Sequence, residues 1–539
     1  MLRFLLLVAL VGVAAQDYVP LRTLYVDNTK PCADTSSAGT EAQPFCSLRY
    51  VSTIAKAGDT FLIASRRDGS GPVEFTRSGT AAAPIIYRST HPEGTTIGAF
   101  VDVDDAAFKP GAAPGVFSLA AAPSGYVWQT FYPPILVDDP NPSKYEMVDT
   151  DGPLQLAKAP DDATLAKQEG TFRYVSGVLH VHPYGSRTPS ATATDFVIGI
   201  DRALQFTKET AYNVFERFNV SYVGSSYSFQ VKGTAHTFRN INYQGVSLWW
   251  EGSGHTGENL FVTHVHQRDP EGDWSWHYEG IGSAAVIKGW SHSIRDIEVA
   301  QNWNSSIATD GSTGVIIDGA RVHSSPNHCD AGNAGTSVTL RNAVMYNCQD
   351  YQWSKDFAGS VLEHVVIAGD SMGFESVNVP LGPITIRNSI MRGSFTWVRG
   401  PQSGCTWEPG SVIENNVFES TASIERCADM KTYPLATYIA KCESGEFTGC
   451  ATFRNNTLVE PSAWATVIKD GMWRAELGDQ WDAALVPGSP ALDIGHSNTT
   501  HDIDGRARPT GDTCDAGIYE ACTCPTFLRR PGARRGRTK

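Results

Sequence analysis

A charged residue set among alternating apolar positions recurs along the middle of this chain, and that recurrence limits the folds open to it. The segments VFERFNV, FRNINY, ENLFV, IRDIEV, IIDGARV, LRNAVM, LEHVVI, IRNSIM, IENNVF and FRNNTL all carry it. Its charged members are Glu216, Arg239, Glu258, Arg295, Asp318, Arg341, Glu363, Arg387, Glu414 and Arg454, at successive spacings of 23, 19, 37, 23, 23, 22, 24, 27 and 40 residues. A repeat of roughly 20 to 25 residues made of short strands and Gly/Asn turns cannot bury its apolar face alone. Stacking coil on coil does so, which is a parallel β-solenoid. Leucine-rich repeats have a similar period but need Leu at fixed sites. Here Leu is sparse, and Asn recurs at Asn240, Asn259, Asn342, Asn388, Asn415 and Asn455. Those residues either form an inward amide ladder from coil to coil or serve a left-handed turn, and both readings stand at this point.

The first 15 residues, MLRFLLLVALVGVAA, have one Arg, a short apolar run and small residues suited to cleavage, and read as a secretory signal peptide. No later stretch has the apolar length of a membrane span. Export favours disulfides among the 11 cysteines, and Cys32 with Cys46, flanking a short loop, is the pair expected to join. Cys427, Cys442 and Cys450 cluster in an insertion, and Cys514, Cys522 and Cys524 lie near the end without zinc-type spacing. N-glycosylation sequons begin at Asn219, Asn304, Asn455 and Asn498. A formal net charge of −14 opposes nucleic acid and anionic membrane as partners. The basic FLRRPGARRGRTK tail is the exception; it reads as a solvated disordered tail or as an anchor to an acidic glycan.

The repeat resembles the right-handed parallel β-helix proteins of the pectin-lyase-like superfamily. The opening LYVDNTKPCADTSSAGTEAQPFCSLRYVSTIAKAGDTFLIAS is similar to their N-terminal segment, with residues 47–56 as a capping helix and Gly58-Asp59-Thr60 leading into the first strand. The closing GSPALDIGHSNTTHDIDGRARPTGDTCDAGIYE is similar to the terminal segment of exported β-helix repeat proteins. The fold expected is therefore all-β, a parallel β-helix with an N-terminal capping helix and a small β-rich insertion. Its expected divisions are cap and first coils at 16–125, the insertion at 126–195, the main β-helix at 196–460, a C-terminal cap segment at 461–525 and the tail at 526–539. A short helix is also open over 162–168.

Stacked coils set equivalent residues about 4.8 Å apart, so register turns sequence positions into surface rows. Five to eight residues past the charged position lie His264 and His266, then Gln301, Asn302 and Trp303, then His323, then Tyr346 and Asn347. A second row, 11 to 15 residues past it, holds Glu251, Asp310, Asp330, Lys355 with Asp356, Glu375 and Arg399. Adjacent carboxylates in such a row push one another's pKa apart and allow an acid and a base to coexist; solvated acidic turns give the same pattern. Glycoside hydrolysis would use two of Asp310, Asp330, Asp356 and Glu375. A uronic-acid lyase or epimerase would instead use Lys355, Lys288, His264, His266 or His323 as base, with Arg399 or bound Ca²⁺ neutralising the sugar carboxylate. No other cofactor is called for. A non-catalytic carbohydrate-binding or adhesion protein is the alternative to an enzyme, and a monomer is expected.

The sharper signatures of the superfamily are absent. There is no Asp-Pro-His-Asp, Asn327-His328-Cys329-Asp330 being a poor substitute, and Ala308-Thr309-Asp310-Gly311 lacks the Asp pair and Gly-His-Gly that accompany polygalacturonase motifs. The 37-residue spacing between Glu258 and Arg295 exceeds a coil by about 14 residues. That surplus, within HVHQRDPEGDWSWHYEG, carries Asp273, Trp274, Trp276, His277, Tyr278 and Glu279. The loop reads as a substrate wall whose rings pack on sugar faces, or as a flap whose rings pack on the solenoid flank. A glycan on Asn304, beside Trp303, would obstruct a cleft there. The expected function is hydrolysis or lyase cleavage of an extracellular polysaccharide.

Overall fold

A computed structural model describes residues 19–517, apart from 70, 72, 130–153, 184–187, 190–195, 200–203, 222–228, 264–282, 301, 303–304, 310, 329–330, 334, 355–357, 377–382, 400–409, 427–430, 468–484, 493, 498–500, 504–506 and 509–510. The chain forms two compact units, residues 1–130 with 153–261, and residues 131–152 with 262–539. Strands dominate both.

The first unit opens with strand Arg22–Val26, which pairs in parallel with Asp59–Ile63. The solenoid therefore starts one strand earlier than Gly58-Asp59-Thr60 implied. Between these strands the disulfide Cys32–Cys46 forms, and helix Leu48–Ile54 starts at Ser47, whose hydroxyl accepts from Tyr50 N. Asp59 carries the junction: its carboxylate takes Arg22 Nη2 at 2.6 Å and Lys56 N at 2.8 Å. The coils then continue in parallel register through Ile85–Ser89, Asn213–Glu216 and Thr237–Gln244. A second parallel sheet stacks Val73–Phe75, Leu204–Phe206, Phe229–Val231 and Leu248–Trp250. Aromatic rings fill the space between the sheets, with Phe75 stacked on Phe206 at 4.4 Å and Phe61 on Tyr87 at 5.3 Å. Interdigitated rings of this kind maximise apolar burial per coil.

An insertion interrupts these coils. One small sheet joins Phe100–Asp102, Phe196–Gly199, Tyr126–Gln129 and Leu154–Gln155. Another joins Lys109–Pro110, Phe117–Ala120, Val178–His182, Thr171–Val175 and Ala157–Lys158. The stretch TFRYVSGVLHVH is thus an antiparallel hairpin, and helix Asp162–Lys167 is capped by the Asp161 carboxylate.

In the second unit the long sheet stacks Ser293–Ala300, Ile316–His328, Thr339–Ser354, Val361–Ser376, Thr385–Arg387, Val412–Glu414 and Thr452–Arg454, all parallel. Ile294, Ile317, Leu340, Leu362, Ile386 and Ile413 form one inward file, each buried. A second disulfide, Cys442–Cys450, closes the segment after helix Leu435–Glu443.

The charged positions alternate in sign along the sequence, and within each unit register makes successive members direct neighbours. In the first unit Arg88, Glu216, Arg239 and Glu258 alternate in sign, with Arg239 Nη1 2.9 Å from Glu216 and Nε 3.7 Å from Glu258. In the second, Arg295, Asp318, Arg341, Glu363, Arg387, Glu414 and Arg454 alternate along seven successive strands. Arg341 pairs with Asp318 at 2.8 Å and Arg387 with Glu363 at 3.1 Å.

The residue after each charged position has positive φ: Arg217, Asn240, Asn259, Asp296, Gly319, Asn342, His364, Asn388, Asn415 and Asn455. Both readings of the Asn therefore hold together. The backbone turns left-handed there, and amides bridge coils, as from Asn259 Nδ2 to Asn240 Oδ1 at 3.1 Å and from Asn455 Nδ2 to Asn415 Oδ1 at 3.3 Å. The ladder is not uniformly inward, because Asn455 and Asn240 are exposed whereas Asn388 is buried. Arg217 breaks the preference for Asn or Gly at a φ of 66°. Arg217→Asn is expected to raise stability by about 0.5–1 kcal/mol, read as a small upward shift in Tm; an unchanged or lower Tm would show that its contacts to the His91 and Pro92 carbonyls matter more.

A histidine-bearing turn recurs in both units, and in the first its histidines form a file. Lys232-Gly233-Thr234-Ala235-His236, Glu251-Gly252-Ser253-Gly254-His255 and Lys288-Gly289-Trp290-Ser291-His292 share one pattern. Each imidazole Nε2 reaches the carbonyl four residues back, at 3.1, 2.9 and 3.0 Å. In the first unit His236 Nδ1 accepts from Asn213 N and His255 Nδ1 from His236 N, both at 3.2 Å, and the two rings stack 5.2 Å apart. Accepting at Nδ1 while donating from Nε2 requires the neutral ring. Burial accordingly pulls the His236 pKa down to about 4 and lowers that of His292.

Candidate functional site

Beyond the left-handed residue the long sheet of the second unit continues, and alternation decides which side chains face outward. Ile297 and Val299 are buried inward, so Glu298 faces out between them. Register then sets two files on the outer face: Glu298, Arg321, Val344, Val366 and Ile390, and two residues further on, Ala300, His323 and Tyr346. His323 and Tyr346, placed in one row by the sequence, are direct register neighbours. Their rings stack at 4.8 Å and 12°.

The stack is enclosed. His323 is 1% and Tyr346 4% exposed, whereas the Glu298 side chain keeps 36% of its surface. His323 Nε2 lies 3.5 Å from Glu298 Oε1, the outer limit of a hydrogen bond. The imidazole thus has one face fixed by Tyr346 and an edge toward a carboxylate that reaches solvent. Half-buried Arg321 is next to Glu298 in register. Together they offer a carboxylate able to exchange protons, a ring to poise it and a cation to hold an anion.

The C-terminal segment bounds this patch. Trp464, Val467, Leu485, Ala491, Ile503 and Ala516 pack on Val344, Tyr346, Val366, Ile390, Val417 and Val459 of the outer face. Polar ties fix the segment: Asn342 Nδ2 donates to the His501 carbonyl at 3.2 Å, Arg508 Nη2 donates to Asn342 Oδ1 at 3.3 Å and to the Gly517 carbonyl at 3.0 Å, and Gly517 N donates to the Asn388 carbonyl at 2.8 Å. Gly517 has φ +100°, and a Cβ there would meet Ile390 Cδ1 at 2.8 Å, so only glycine lets the segment lie this close. The segment resembling a terminal cap therefore covers the outer face of these later coils, and Glu298, Arg321 and His323 precede them.

Of the other residues singled out in the sequence, Glu375 and Arg399 lie on described strands. Glu375 is in register with Ser354 and Val398, and Arg399 with Ser376, so the two are one step apart rather than in one file. Asp310, Asp330, Lys355, Asp356, His264, His266, Asp273, Trp274, Trp276, His277, Glu279 and Trp303 lie outside the described residues, as do Asn304 and Asn498. Asn219 is half-buried and donates to the Glu93 carbonyl at 2.9 Å, while Asn455 is exposed. Among the described residues no group of three His, Cys, Asp or Glu is placed to hold a metal ion, and no helix is long and apolar enough to cross a membrane. Sequence reading passed over Glu298 and Arg321 because it counted five to eight residues past the charged position. They stand three past it, where strand alternation resumes after the left-handed turn.

No protein-family model and no curated protein matches the chain. Solved structures do. The complex of XylC with xylose aligns with 93% of this chain and 98% of its own, at 11% identity and a TM-score of 0.55. A glycoside hydrolase covers 81% of this chain and 95% of its own at 9% identity and a TM-score of 0.46, and pectate lyase Pel9A covers 94% and 97% at 12% identity and a TM-score of 0.43. At such identities the likeness speaks for fold, and the first alignment carries it. Stacked parallel coils and that alignment make this chain an all-β parallel β-helix.

Proposed function

We propose that the protein is an exported carbohydrate-active enzyme that cleaves an extracellular polysaccharide, with Glu298 as the accessible acid/base group and His323 as the residue that positions it. The observation that carries this reading is the Glu298–His323–Tyr346 arrangement on the outer face, a solvent-reaching carboxylate backed by a clamped imidazole. The fold neighbour solved with xylose supports a saccharide as ligand. Two disulfides and the apolar leader support export, and an acidic chain supports a partner other than nucleic acid. As a hydrolase it would draw a second carboxylate from Asp310, Asp330, Asp356 or Glu375. Arg321, in register beside Glu298, favours a second reading: a lyase in which the cation holds a uronate carboxylate while the α-proton is removed. Ca²⁺ would serve that neutralising role if the acidic positions gather it.

Glu298→Gln is expected to lower kcat by about 100-fold or more with the folded spectrum unchanged. His323→Asn should cost less and displace the pH profile. Products from neutral and uronic-acid polysaccharides, followed in parallel by new reducing ends and by the absorbance of unsaturated ends, separate hydrolase from lyase. Full activity of Glu298→Gln would remove it from the site, and full activity of Asp310→Asn, Asp330→Asn and Lys355→Ala would remove the acidic row. Binding without product would leave a carbohydrate-binding protein.

A further inference from the structure

Among the described residues the exposed large hydrophobic side chains are Val19, Leu21, Val101 and Trp290. Trp290 alone is aromatic, and at 61% exposed it leaves most of an indole in water. A single exposed apolar residue is ordinary on a protein surface, so what matters here is that the open indole stands in line with hydroxyl groups on a hydrogen-bonded coil. It sits in the turn Lys288-Gly289-Trp290-Ser291-His292, between strand Ser283–Ile287 and the strand Ser293–Ala300 that carries Glu298. Its file is otherwise small and polar: Trp290 is in register with Thr313, and Thr313 with Thr336.

The platform is rigid. Thr313 N donates to the Gly289 carbonyl at 2.8 Å and Ser291 N to the Thr313 carbonyl at 2.9 Å, pinning the backbone on both sides of the indole. Thr336 N donates to the Ser312 carbonyl at 2.9 Å and Gly314 N to the Thr336 carbonyl at 3.0 Å, extending the same ties by one coil. The Thr313 and Thr336 hydroxyls lie 2.8 Å apart. His292, buried behind the turn, fastens it from within through the Lys288 carbonyl.

We infer that Trp290, Thr313 and Thr336 form a saccharide-binding platform outside the Glu298 patch, which holds a polysaccharide chain along the solenoid axis. An indole face takes the apolar C–H face of a pyranose, and the paired Thr313 and Thr336 hydroxyls, 2.8 Å apart, meet a hydroxyl of the following sugar. Neither group carries charge, so the platform selects sugar shape rather than acid groups, and its binding is insensitive to salt. The pinned backbone means little order is lost on binding. The inference rests on the polysaccharide reading above and adds a second contact site to it.

The test is retention of the full-length protein on insoluble xylan, cellulose and pectate, with turnover of the same polymers in soluble form measured beside it. Wild type is expected to be retained on at least one, Trp290→Ala about 10-fold more weakly, Trp290→Phe in between and Thr313→Val a few-fold more weakly. Retention should survive high salt, and turnover of soluble substrate should be unchanged in all three variants. Equal retention of wild type and Trp290→Ala would overturn the platform and leave the polysaccharide reading intact, as would turnover by a wild type that no polymer retains. A wild type that neither binds nor cleaves any of them would overturn both. Because Trp290 is exposed, an unchanged Tm is expected for its variants, and a Tm lowered by more than a few degrees would itself count against an open platform.

Discussion

Glu363→Ala is expected to destabilise the second unit by about 3–5 kcal/mol, the range for removing one partner of a buried ion pair. Glu363 is 3% exposed and binds Arg387 through Nε at 3.1 Å and Nη2 at 3.2 Å. Its loss leaves Arg387 partly buried without its carboxylate, and puts Arg341 and Arg387 two coils apart with no negative charge between them. Denaturant unfolding should show a lower midpoint. A change below about 1 kcal/mol would mean that the file is a surface pattern of the weak kind. The charge swap Glu363→Arg with Arg387→Glu distinguishes a ladder from an isolated pair. An isolated pair would recover, but here the new Arg would face Arg341 and the new Glu would face Glu414, so the double variant is expected to remain at least as unstable as Glu363→Ala. Replacing both by Leu and Met should recover most of the loss. Alternation also penalises a one-coil slip, which would set like charges side by side along the whole file. In a repeat protein whose coils are nearly interchangeable, such a device selects one register.

The second large effect concerns acid. His236 has its pKa drawn down to about 4 from an ordinary 6.5, chiefly by burial. As pH falls, the unfolded chain therefore takes up this proton first. The contribution of the neutral ring is complete above about pH 6.5, declines between 6.5 and 4, and is lost below that, amounting to about 3 kcal/mol. Protonation would also place a hydrogen on Nδ1 against Asn213 N–H, two donors facing each other. His292 is shifted in the same direction, so the second unit should weaken over the acidic side as well. The measurement is unfolding free energy against pH for wild type and His236→Asn, Asn being the residue that stands at the equivalent position, 213, one coil earlier. The wild type is expected to lose its advantage over the variant as pH drops from 6.5 to 4. A difference that stays constant across that range would show that the file is not held neutral.

Much of the fold was legible because one physical requirement repeats: an apolar residue inward, a polar one outward, and a turn that returns the chain to the next coil. Each counted charged position from Glu216 onward lies on a described strand of the long sheet, and the strands Ser423–Arg426 and Lys431–Pro434, which carry none, escaped the count. Cys32 and Cys46 were legible because a short loop brings them together. The Gly-x-x-His turns were equally periodic and went unread, because a histidine draws attention as a ligand or base before it is considered as a backbone partner.

The site was less legible. Rows counted at five to eight residues past the charge found His323 and Tyr346, since those strands run without interruption in register. Glu298 and Arg321 fell outside the count because the left-handed residue resets the alternation, and only the φ of Asp296 and its equivalents shows where. The cover over Tyr346 was not accessible from periodicity at all. It depends on Trp464, Ile503 and Ala516 meeting Val344 and Val366 from 98 to 172 residues away.

Sequence by itself determined that the chain is a solenoid and which residues face inward, because both follow from local periodicity and composition. Tertiary structure alone decided which charges pair, that burial lowers the pKa of His236 and His292, that the C-terminal segment lies on the outer face, and that Trp290 stays in water. Those outcomes depend on desolvation and on neighbours one coil or many coils away, and neither is written in any single stretch of the chain.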